Sequence, residues 1–443
     1  ITSASSLADA FHAARALSRA GDDAGAIRAY QRLVRRAPES QEAAEAEYLA
    51  AWLGIRLGRG SARRAMHRFV DGPRAQRVPS LAREARWQIA FDAFRRGRHR
   101  EAAELFAASA REHADPLVRG RGTYWRGRAL SEAGDRAGAI AAYRAALHVS
   151  PLHWYALLAR QRLVELGEDP GSPFAHEARE ETWSPSRIEL PASITLLFEL
   201  GLDRDARARM RSSERALRAG ADLRAMVQEY ERIGDHERAY RMTARHDDEL
   251  SRPALRGEAW AWRAAYPRAF EDAVTSAARA QSLEPELLWA IMRQESAYAP
   301  EAVSYADAIG LLQLLPSTAS RIAQGLGVEL QREMLFDPVW NTRLAATYVR
   351  RLVAAHGVPL CFAAFNAGGH RVDEWLARSG EVELDRFVEE IPFDQTRGYI
   401  RRVTSHLARY LYLRDPDAGW PAIDLPARVG PRPARERGDP DGD

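Results

Sequence analysis

The first third of the chain repeats one pattern of small and aromatic positions. Glycines recur at intervals of 39, 37 and 37 residues, at Gly21, Gly60, Gly97 and Gly134. Each glycine is followed five residues later by an alanine, and nine residues later by an aromatic residue, at Tyr30, Phe69, Phe106 and Tyr143. The pattern predicts helix pairs joined by a glycine turn, in which the alanine allows close packing and the aromatic ring fills the next layer. Such pairs cannot bury their apolar faces alone, so we expect them to stack into a solenoid.

A second pattern begins at Pro285, which suits the first turn of a helix. Apolar residues follow at helical spacing, at Leu287, Leu288, Ile291 and Met292. Glu295 comes four residues after Ile291 and therefore lies along the edge of this apolar stripe. A carboxylic acid there loses hydration, which predicts a raised pKa and a proton that can be donated near neutral pH. The alternative is a solvated glutamate at a helix end, which is the commoner case for a lone Glu.

The stretches around these two patterns differ in character. Residues 167–191 are rich in proline and glycine, which predicts an irregular crossing between helical segments. Between Ala259 and Phe270, large aromatic residues recur at near-helical spacing, and we interpret them as a core stripe rather than a sugar-stacking patch. Residues 310–316, GLLQLLP, are predicted to form the start of another short helix, which could bring Gln313 alongside Glu295. The last dozen residues are rich in Pro, Arg and Asp, which predicts disorder.

Composition narrows the class of protein. At 443 residues the chain predicts two to four units, and 46% hydrophobic with 28% charged residues is ordinary for a soluble globular protein. No apolar run approaches the roughly 18 to 20 residues that a membrane span needs. The chain begins at Ile1 rather than Met, so we expect a mature or trimmed form. A net charge of +3 without a clustered basic face does not favour nucleic-acid binding, and Cys361, as the single cysteine, excludes an intrachain disulfide.

Three separate motifs follow one another in the second half of the chain. The first is the pair Glu295 and Ser296 followed by residues 304–319, SYADAIGLLQLLPSTA. The others are residues 362–375, FAAFNAGGHRVDEW, and residues 389–403, EEIPFDQTRGYIRRV. Together they resemble the catalytic domain of the soluble lytic transglycosylases, relatives of goose-type lysozyme that cleave peptidoglycan. The resemblance covers residues 266–413. The repeats resemble a tetratricopeptide array, and that family also carries a helical superhelix ahead of its catalytic domain.

The resemblance implies an all-α protein, with a TPR-like α-helical superhelix followed by a lysozyme-like α-helical catalytic domain. We expect TPR-like repeats over residues 1–167, then a linker and further superhelix over 168–265. The catalytic domain is expected over 266–414, and a C-terminal tail over 415–443.

The resemblance also implies a reaction without water. In this family one glutamate protonates the glycosidic oxygen and then, as a carboxylate, takes the proton from the muramyl C6 hydroxyl, which closes on C1 as a 1,6-anhydro sugar. Glu295 matches this acid/base, and Tyr399 matches the tyrosine whose hydroxyl faces it. The positions matched to substrate contacts are Ser296, Ser304, Gln313, Leu315, Asn366 and Arg397.

Each of these polar residues also has a structural interpretation. Ser296 is as often a helix cap, and Gln313, in an apolar run, can satisfy its amide on the backbone, since an unpaired amide costs about 1 to 3 kcal/mol. Asn366 can belong to a helix-to-loop turn. Tyr399 can be a core residue of an amphipathic helix. Arg397 can pair with a local acid rather than with a carboxylate of a peptide stem.

The sequence departs from the family pattern at five positions. Leu312 and Leu315 stand where the family has Met, a swap of similar volume that should keep the apolar floor. Phe365 lacks a tyrosine hydroxyl, and Gln395 lacks a glutamate charge near Arg397. Asp307 replaces a glycine; Asp tolerates a left-handed backbone, so the loop can survive. Asp307 also adds a carboxylate, and our hypothesis is that it favours some water attack beside ring closure.

Three functions follow in order of preference. The first is a peptidoglycan lytic transglycosylase, the second a goose-lysozyme-like hydrolase, and the third a catalytically silent envelope binding or scaffold protein. The expected partners are peptidoglycan glycan strands, with protein partners through the solenoid as an option and no nucleic acid. No cofactor and no metal are expected, because the histidines do not fall at ligand spacings and no glycine-rich phosphate loop occurs. The resemblance implies the periplasm or bacterial cell envelope.

Overall fold

The computed structural model describes residues 4–111, 115–174, 188–243 and 259–431. Their regular secondary structure is helical apart from one pair of two-residue strands, so the all-α prediction is confirmed. The chain divides into two compact units. One contains residues 1–149 and 159–170, and the other contains residues 150–158 and 171–443. The four-part division made from the sequence stays a prediction.

The first unit is a succession of helices, and the last of them, Trp154–Glu165, crosses the boundary between the units. The others are Ala4–Arg19, Asp23–Arg36, Gln41–Arg56, Gly60–Asp71, Arg74–Arg77, Pro79–Arg95, His99–Arg111, Pro116–Glu132 and Arg136–Val149. Polar residues cap several N-termini, as where Asp22 accepts from the Gly25 amide at 2.7 Å and Ser40 from the Ala43 amide at 3.0 Å. The repeated aromatic position is buried at all four sites, at Tyr30, Phe69, Phe106 and Tyr143.

The predicted turn glycine is wrong in the second repeat. Gly21, Gly97 and Gly134 have φ values of 87°, 75° and 81° in the turns between paired helices, as predicted. In the second repeat the left-handed residue is Gly58, at φ 69°, whereas Gly60 is the first residue of the helix Gly60–Asp71. Glycine is needed only where the chain reverses in the left-handed region. Counting from Gly60 therefore overstated the first interval and understated the second, while the third, from Gly97 to Gly134, is unchanged.

The second unit carries a run of short helices and then the helices of the predicted catalytic domain. The former are Ala192–Glu199, Asp203–Leu217, Leu223–Arg232, His236–Thr243 and Ala259–Ala265. The latter are Glu271–Ala280, Pro285–Ser296, Pro316–Gly325, Pro338–His356, Leu360–Ala367, Gly369–Ser379, Leu384–Glu390 and Asp394–Arg414. Two 3₁₀ helices, Arg332–Leu335 and Pro416–Ala418, complete the set. The helices Pro285–Ser296 and Asp394–Arg414 pack against each other, which brings residues 104 positions apart into contact.

Several further predictions from the sequence can be compared with the structure. Trp262 and Tyr266 are buried, which confirms the core interpretation for these two residues. The tail beyond residue 415 is not wholly irregular, since the strand Arg428–Val429 pairs antiparallel with the strand Val382–Glu383. The predicted disorder of the last dozen residues, and residues 175–187 of the predicted crossing, lie outside the described residues. Among the described helices, none is long and apolar enough to cross a membrane.

Candidate active site

Glu295 lies in the last turn of the helix Pro285–Ser296. Pro285 occupies the first turn, and the predicted apolar stripe is buried together with most of the other helix residues. The helix ends abruptly because Ala297 and Tyr298 take left-handed backbone angles, with φ values of 51° and 67°. The carboxyl group is therefore placed at a buried helix end, where protein atoms rather than water surround most of it.

The Glu295 carboxyl has one short hydrogen bond. The Tyr399 hydroxyl, on the helix Asp394–Arg414, donates to Glu295 Oε1 at 2.5 Å. Burial raises the pKa of Glu295 to about 7, and the hydrogen bond from Tyr399 opposes part of that rise. Burial also raises the pKa of Tyr399 well above its ordinary value, so the phenol stays neutral and is the donor. The raised pKa predicted for Glu295 is confirmed, and the pair can act as an acid near neutral pH.

A compact loop follows the helix that carries Glu295. Isolated bridges join Val303 to Ile309 and Ile309 to Leu314. Residues 310–315 are not helical, so the helix that was predicted to include them begins only at Pro316. A Cβ on Gly310, at φ 81°, would lie 2.1 Å from the Leu335 carbonyl oxygen, so the close turn admits only glycine.

Three predicted contact residues belong to this region. Gln313 has φ 45°, and its amide nitrogen donates to the Ala302 and Gly310 carbonyls at 3.0 and 2.9 Å, as in its structural interpretation. The Ser304 hydroxyl accepts from the Ala308 amide at 3.0 Å. The buried Ser296 hydroxyl donates to the Leu311 carbonyl at 2.7 Å, which ties the helix end to the loop. Their contacts with substrate stay a prediction.

Asn341 also holds this loop in place, and it was not among the residues predicted from the sequence. It is fully buried on the helix Pro338–His356. Its side-chain oxygen accepts from the Leu312 amide at 2.9 Å, and its nitrogen donates to the Ile309 and Leu335 carbonyls at 3.1 and 2.8 Å. The available signal was an asparagine on the otherwise apolar face of that helix, where an unpaired amide would be costly.

Asn366 lies near the end of the helix Leu360–Ala367 and is partly exposed. The buried Thr396 hydroxyl donates to Asn366 Oδ1 at 2.8 Å. That bond uses one acceptor position of the amide oxygen and fixes the orientation of the amide, whose nitrogen has two N–H donors. Thr396 lies within the motif of residues 389–403. The sequence did not predict that it contacts Asn366, because the two residues are 30 positions apart.

Arg397 and three of the residues that depart from the family pattern have surroundings that the structure describes. The Arg397 side chain is buried, forms an ion pair with Asp394 and donates to the Ile391 carbonyl, which confirms the local-acid alternative. Asp394 thus supplies a carboxylate where Gln395, exposed to solvent, lacks one. Phe365 packs against Tyr348 with ring centroids 5.7 Å apart. Leu315 is 44% exposed, an apolar side chain at the surface.

Asp307 has φ 63°, so the prediction of a left-handed aspartate is confirmed. Both of its carboxylate oxygens accept from the Arg332 guanidinium, at 2.6 and 3.0 Å. The hydrogen bond from Arg332 lowers the pKa of Asp307, which keeps this exposed carboxyl ionised. In the part of the chain that the structure describes, no group of three or more His, Cys, Asp or Glu could hold a metal ion.

Comparisons with known proteins find matches for this part of the chain. The family model described as the transglycosylase SLT domain matches residues 272–388, and a tetratricopeptide repeat model matches residues 10–40. The soluble lytic murein transglycosylase of Salmonella typhimurium is 35% identical over 150 residues, which is 33% of this chain and 23% of that protein. Its Escherichia coli counterpart is 34% identical over 152 residues, 33% of this chain and 24% of the relative. The matched segment thus spans about a quarter of each relative.

Solved structures share the fold over most of the chain. An inactive mutant of the lytic transglycosylase Slt from Pseudomonas aeruginosa superposes with a TM-score of 0.61 at 23% identity, covering 96% of this chain and 70% of that one. The 70 kDa soluble lytic transglycosylase of Escherichia coli gives 0.58 at 20% identity, over 93% and 62%. These structures confirm the predicted combination of helical superhelix and lysozyme-like domain. The chain therefore carries a transglycosylase SLT domain, preceded in sequence by a tetratricopeptide-type helical segment.

Proposed function

We propose that this chain is a lytic murein transglycosylase of the bacterial cell envelope. It cleaves the β-1,4 linkage between MurNAc and GlcNAc and leaves 1,6-anhydroMurNAc ends. The observation that carries the proposal is the largely buried Glu295 carboxyl, with its pKa raised to about 7, hydrogen-bonded by a neutral Tyr399. Such a carboxyl is protonated often enough at neutral pH to act as an acid, and its conjugate base is strong enough to take a proton back.

The reaction needs one carboxyl because the nucleophile belongs to the substrate. Glu295 gives its proton to the glycosidic oxygen as the bond from that oxygen to C1 breaks. The resulting carboxylate takes the proton of the muramyl C6 hydroxyl, and the C6 oxygen bonds to C1. Holding the C6 hydroxyl beside C1 replaces a bimolecular attack by water with an intramolecular one. The Tyr399 hydroxyl stabilises the carboxylate between the two proton transfers.

The remaining predicted residues are proposed to hold the sugars. The Asn366 amide nitrogen, left available by Thr396, can donate to a hydroxyl or N-acetyl oxygen of the glycan. Gln313 uses its nitrogen on the backbone, so its side-chain oxygen is the atom proposed to accept from the substrate. The exposed Leu315 side chain offers an apolar surface for a sugar face. Arg397 is buried with a local acid and is the weakest of the proposed contacts.

A goose-lysozyme-like hydrolase is the alternative that one residue could support. Asp307 is the departure that adds a carboxylate, which could act as a base for water. Its two oxygens, however, are both engaged by Arg332. We therefore expect Asp307→Gly to leave the ratio of anhydro to reducing ends unchanged, and a rise in the anhydro share would restore the hydrolytic hypothesis.

The decisive experiment is mass spectrometry of the muropeptides released from purified peptidoglycan. The native chain should release anhydro ends, which are lighter than reducing ends by one water, and Glu295→Gln should release none. Glu374→Gln, an exposed glutamate on the helix Gly369–Ser379, is the matched control and should behave as the native chain. Reducing ends would move the assignment to a hydrolase, and no release by the native chain would favour a binding or scaffold protein.

A further inference from the structure

The helices Asp203–Leu217 and His236–Thr243 border a cavity of about 650 Å³ whose walls are strongly basic. Five arginines and one glutamate account for nearly all of its lining: Arg211, Arg215, Arg218, Arg238, Arg241 and Glu214. Guanidinium groups are planar, remain charged at all relevant pH values and match the geometry of carboxylates. A cavity with this lining therefore favours an anionic ligand.

The protein neutralises only part of this charge. Arg238 forms two hydrogen bonds of 2.6 Å with Glu214, and Arg211 binds Asp235 at 2.7 Å. Arg241 binds Glu237 at 2.8 Å. Three carboxylates thus face five guanidinium groups.

The excess charge resides on Arg215 and Arg218. Arg218 comes no closer than 3.9 Å to Glu214, and Arg215 has no carboxylate partner among the residues that the structure describes. Both side chains are exposed at the cavity. The paired arginines are held in place by their carboxylate partners. Arg215 and Arg218 therefore lie beside side chains whose positions are already fixed.

A second cavity, of about 240 Å³, is lined both by part of the helix Asp203–Leu217 and by the segment that follows the active-site helix. Arg211 lines both cavities. The second is also lined by Tyr298, Pro300 and Glu301, which come directly after the helix end that holds Glu295. The arginine-lined cavity thus shares Arg211 with a second cavity that is lined by the segment after Glu295, and neither cavity is lined by a residue that the proposed chemistry uses.

Resting on the proposed function, we propose that the arginine-lined cavity binds carboxylate groups of the peptide stems on the peptidoglycan strand that the active site cleaves. The sugars of an intact strand are uncharged, whereas the stems end in and carry free carboxylates. A bidentate arginine–carboxylate contact is the strongest form of recognition available to these side chains. The cavity thus recognises the stem, and the cleft at Glu295 recognises the glycan.

The test measures binding without turnover. The Glu295→Gln chain is sedimented with insoluble peptidoglycan at low salt, with and without the further changes Arg215→Ala and Arg218→Ala. Exposed ion pairs contribute about 0.2 to 1 kcal/mol each, so removing both cations should weaken binding about two- to thirtyfold. Peptidoglycan whose stem carboxylates have been converted to amides should bind both proteins equally weakly. High salt should remove most of the difference on unmodified peptidoglycan.

The control removes two exposed arginines outside the cavity, Arg209 on the same helix and Arg32 in the first unit, both changed to Ala. It should bind as the parent does. The proposal is overturned if this control loses as much affinity, if the two cavity substitutions change nothing, or if amidation leaves the difference intact. The sedimentation experiment measures binding without cleavage. If the proposed reaction is wrong, the muropeptide experiment shows it, and the binding result can still be interpreted.

Discussion

At the scale of single residues, the ionisation of Glu295 links the active site to the stability of the whole chain. The pKa of this carboxyl is 4.5 in an unfolded chain and about 7 in the folded one. Below the lower value the group is protonated in both states and pH has no effect through it. Between the two values only the unfolded chain ionises, so the free energy of unfolding falls as pH rises and then levels off above about 7. At about 1.4 kcal/mol per pKa unit, the loss is about 3 kcal/mol.

Glu295→Gln removes this loss because an amide does not ionise. We expect the variant to match the native chain near pH 4, and to be more stable by about 2 to 3 kcal/mol near pH 8. Chemical denaturation at the two pH values measures the difference. Glu374→Gln, on an exposed helix face, should show no pH-dependent gain. A stability difference that is the same at both pH values would mean that Glu295 is not the group that titrates.

Thr396 is a positioning residue whose loss should affect binding more than chemistry. Thr396→Val keeps the shape of this buried side chain but removes the donor to Asn366, so the amide can rotate. A neutral hydrogen bond contributes about 1 kcal/mol, which corresponds to a rise in KM of about fivefold with little change in kcat. Steady-state kinetics on peptidoglycan fragments measures both constants.

Two companion variants separate positioning from packing. Thr396→Ser keeps the hydroxyl and should restore most of the native KM. Thr404→Val alters a buried threonine of the same helix whose hydroxyl has no hydrogen-bond partner in the described part of the chain, and should leave both constants unchanged. Equal losses in all three variants would assign Thr396 to the core rather than to the site.

At the scale of elements, the turns of the repeats show where a pattern can mislead. Gly58 has φ 69°, where a Cβ is unfavourable, so Gly58→Ala should cost about 1 to 2 kcal/mol. Gly60 begins a helix, and a Cβ there meets nothing within 4 Å, so Gly60→Ala should be neutral or slightly stabilising. Thermal unfolding of the two variants measures the order of their melting temperatures. If Gly60→Ala instead had the lower melting temperature, the turn would lie at Gly60, as the sequence predicted.

The sequence predicted the elements better than the contacts between them. The apolar stripe after Pro285 and the aromatic layer of the repeats depend on helical periodicity, which a single stretch of sequence contains. The loop that Asn341 fixes depends on bonds between residues about 30 positions apart, and so does the bond from Thr396 to Asn366. Periodicity carries no information on such pairs. The predicted helix start failed for the same reason, because Gly310 and Gln313 adopt left-handed angles that the loop's long-range bonds maintain.

At the scale of the whole molecule, residues 150–158 belong with the second unit although the sequence placed them among the repeats. The Trp154 amide donates to Ser405 Oγ at 3.0 Å, and both residues are buried. The Tyr155 hydroxyl donates to Glu389 at 2.6 Å, and Arg401 pairs with the same carboxylate at 2.7 Å. Without residue 155, this buried carboxylate would lose one of its hydrogen-bond donors.

The boundary between the units therefore predicts the behaviour of two fragments. A fragment of residues 150–443 retains the contacts of Trp154 and Tyr155, whereas a fragment of residues 171–443 loses both hydrogen bonds, including one donor to the buried Glu389 carboxylate. Removing one partner of a buried charged group costs about 1 to 3 kcal/mol, so we expect the shorter fragment to melt several degrees lower. In the longer fragment, Tyr155→Phe should reproduce part of the loss. Equal melting temperatures would instead support the boundary near residue 167 that the sequence predicted, since residues 150–158 would then add nothing to the stability of the part that holds Glu295.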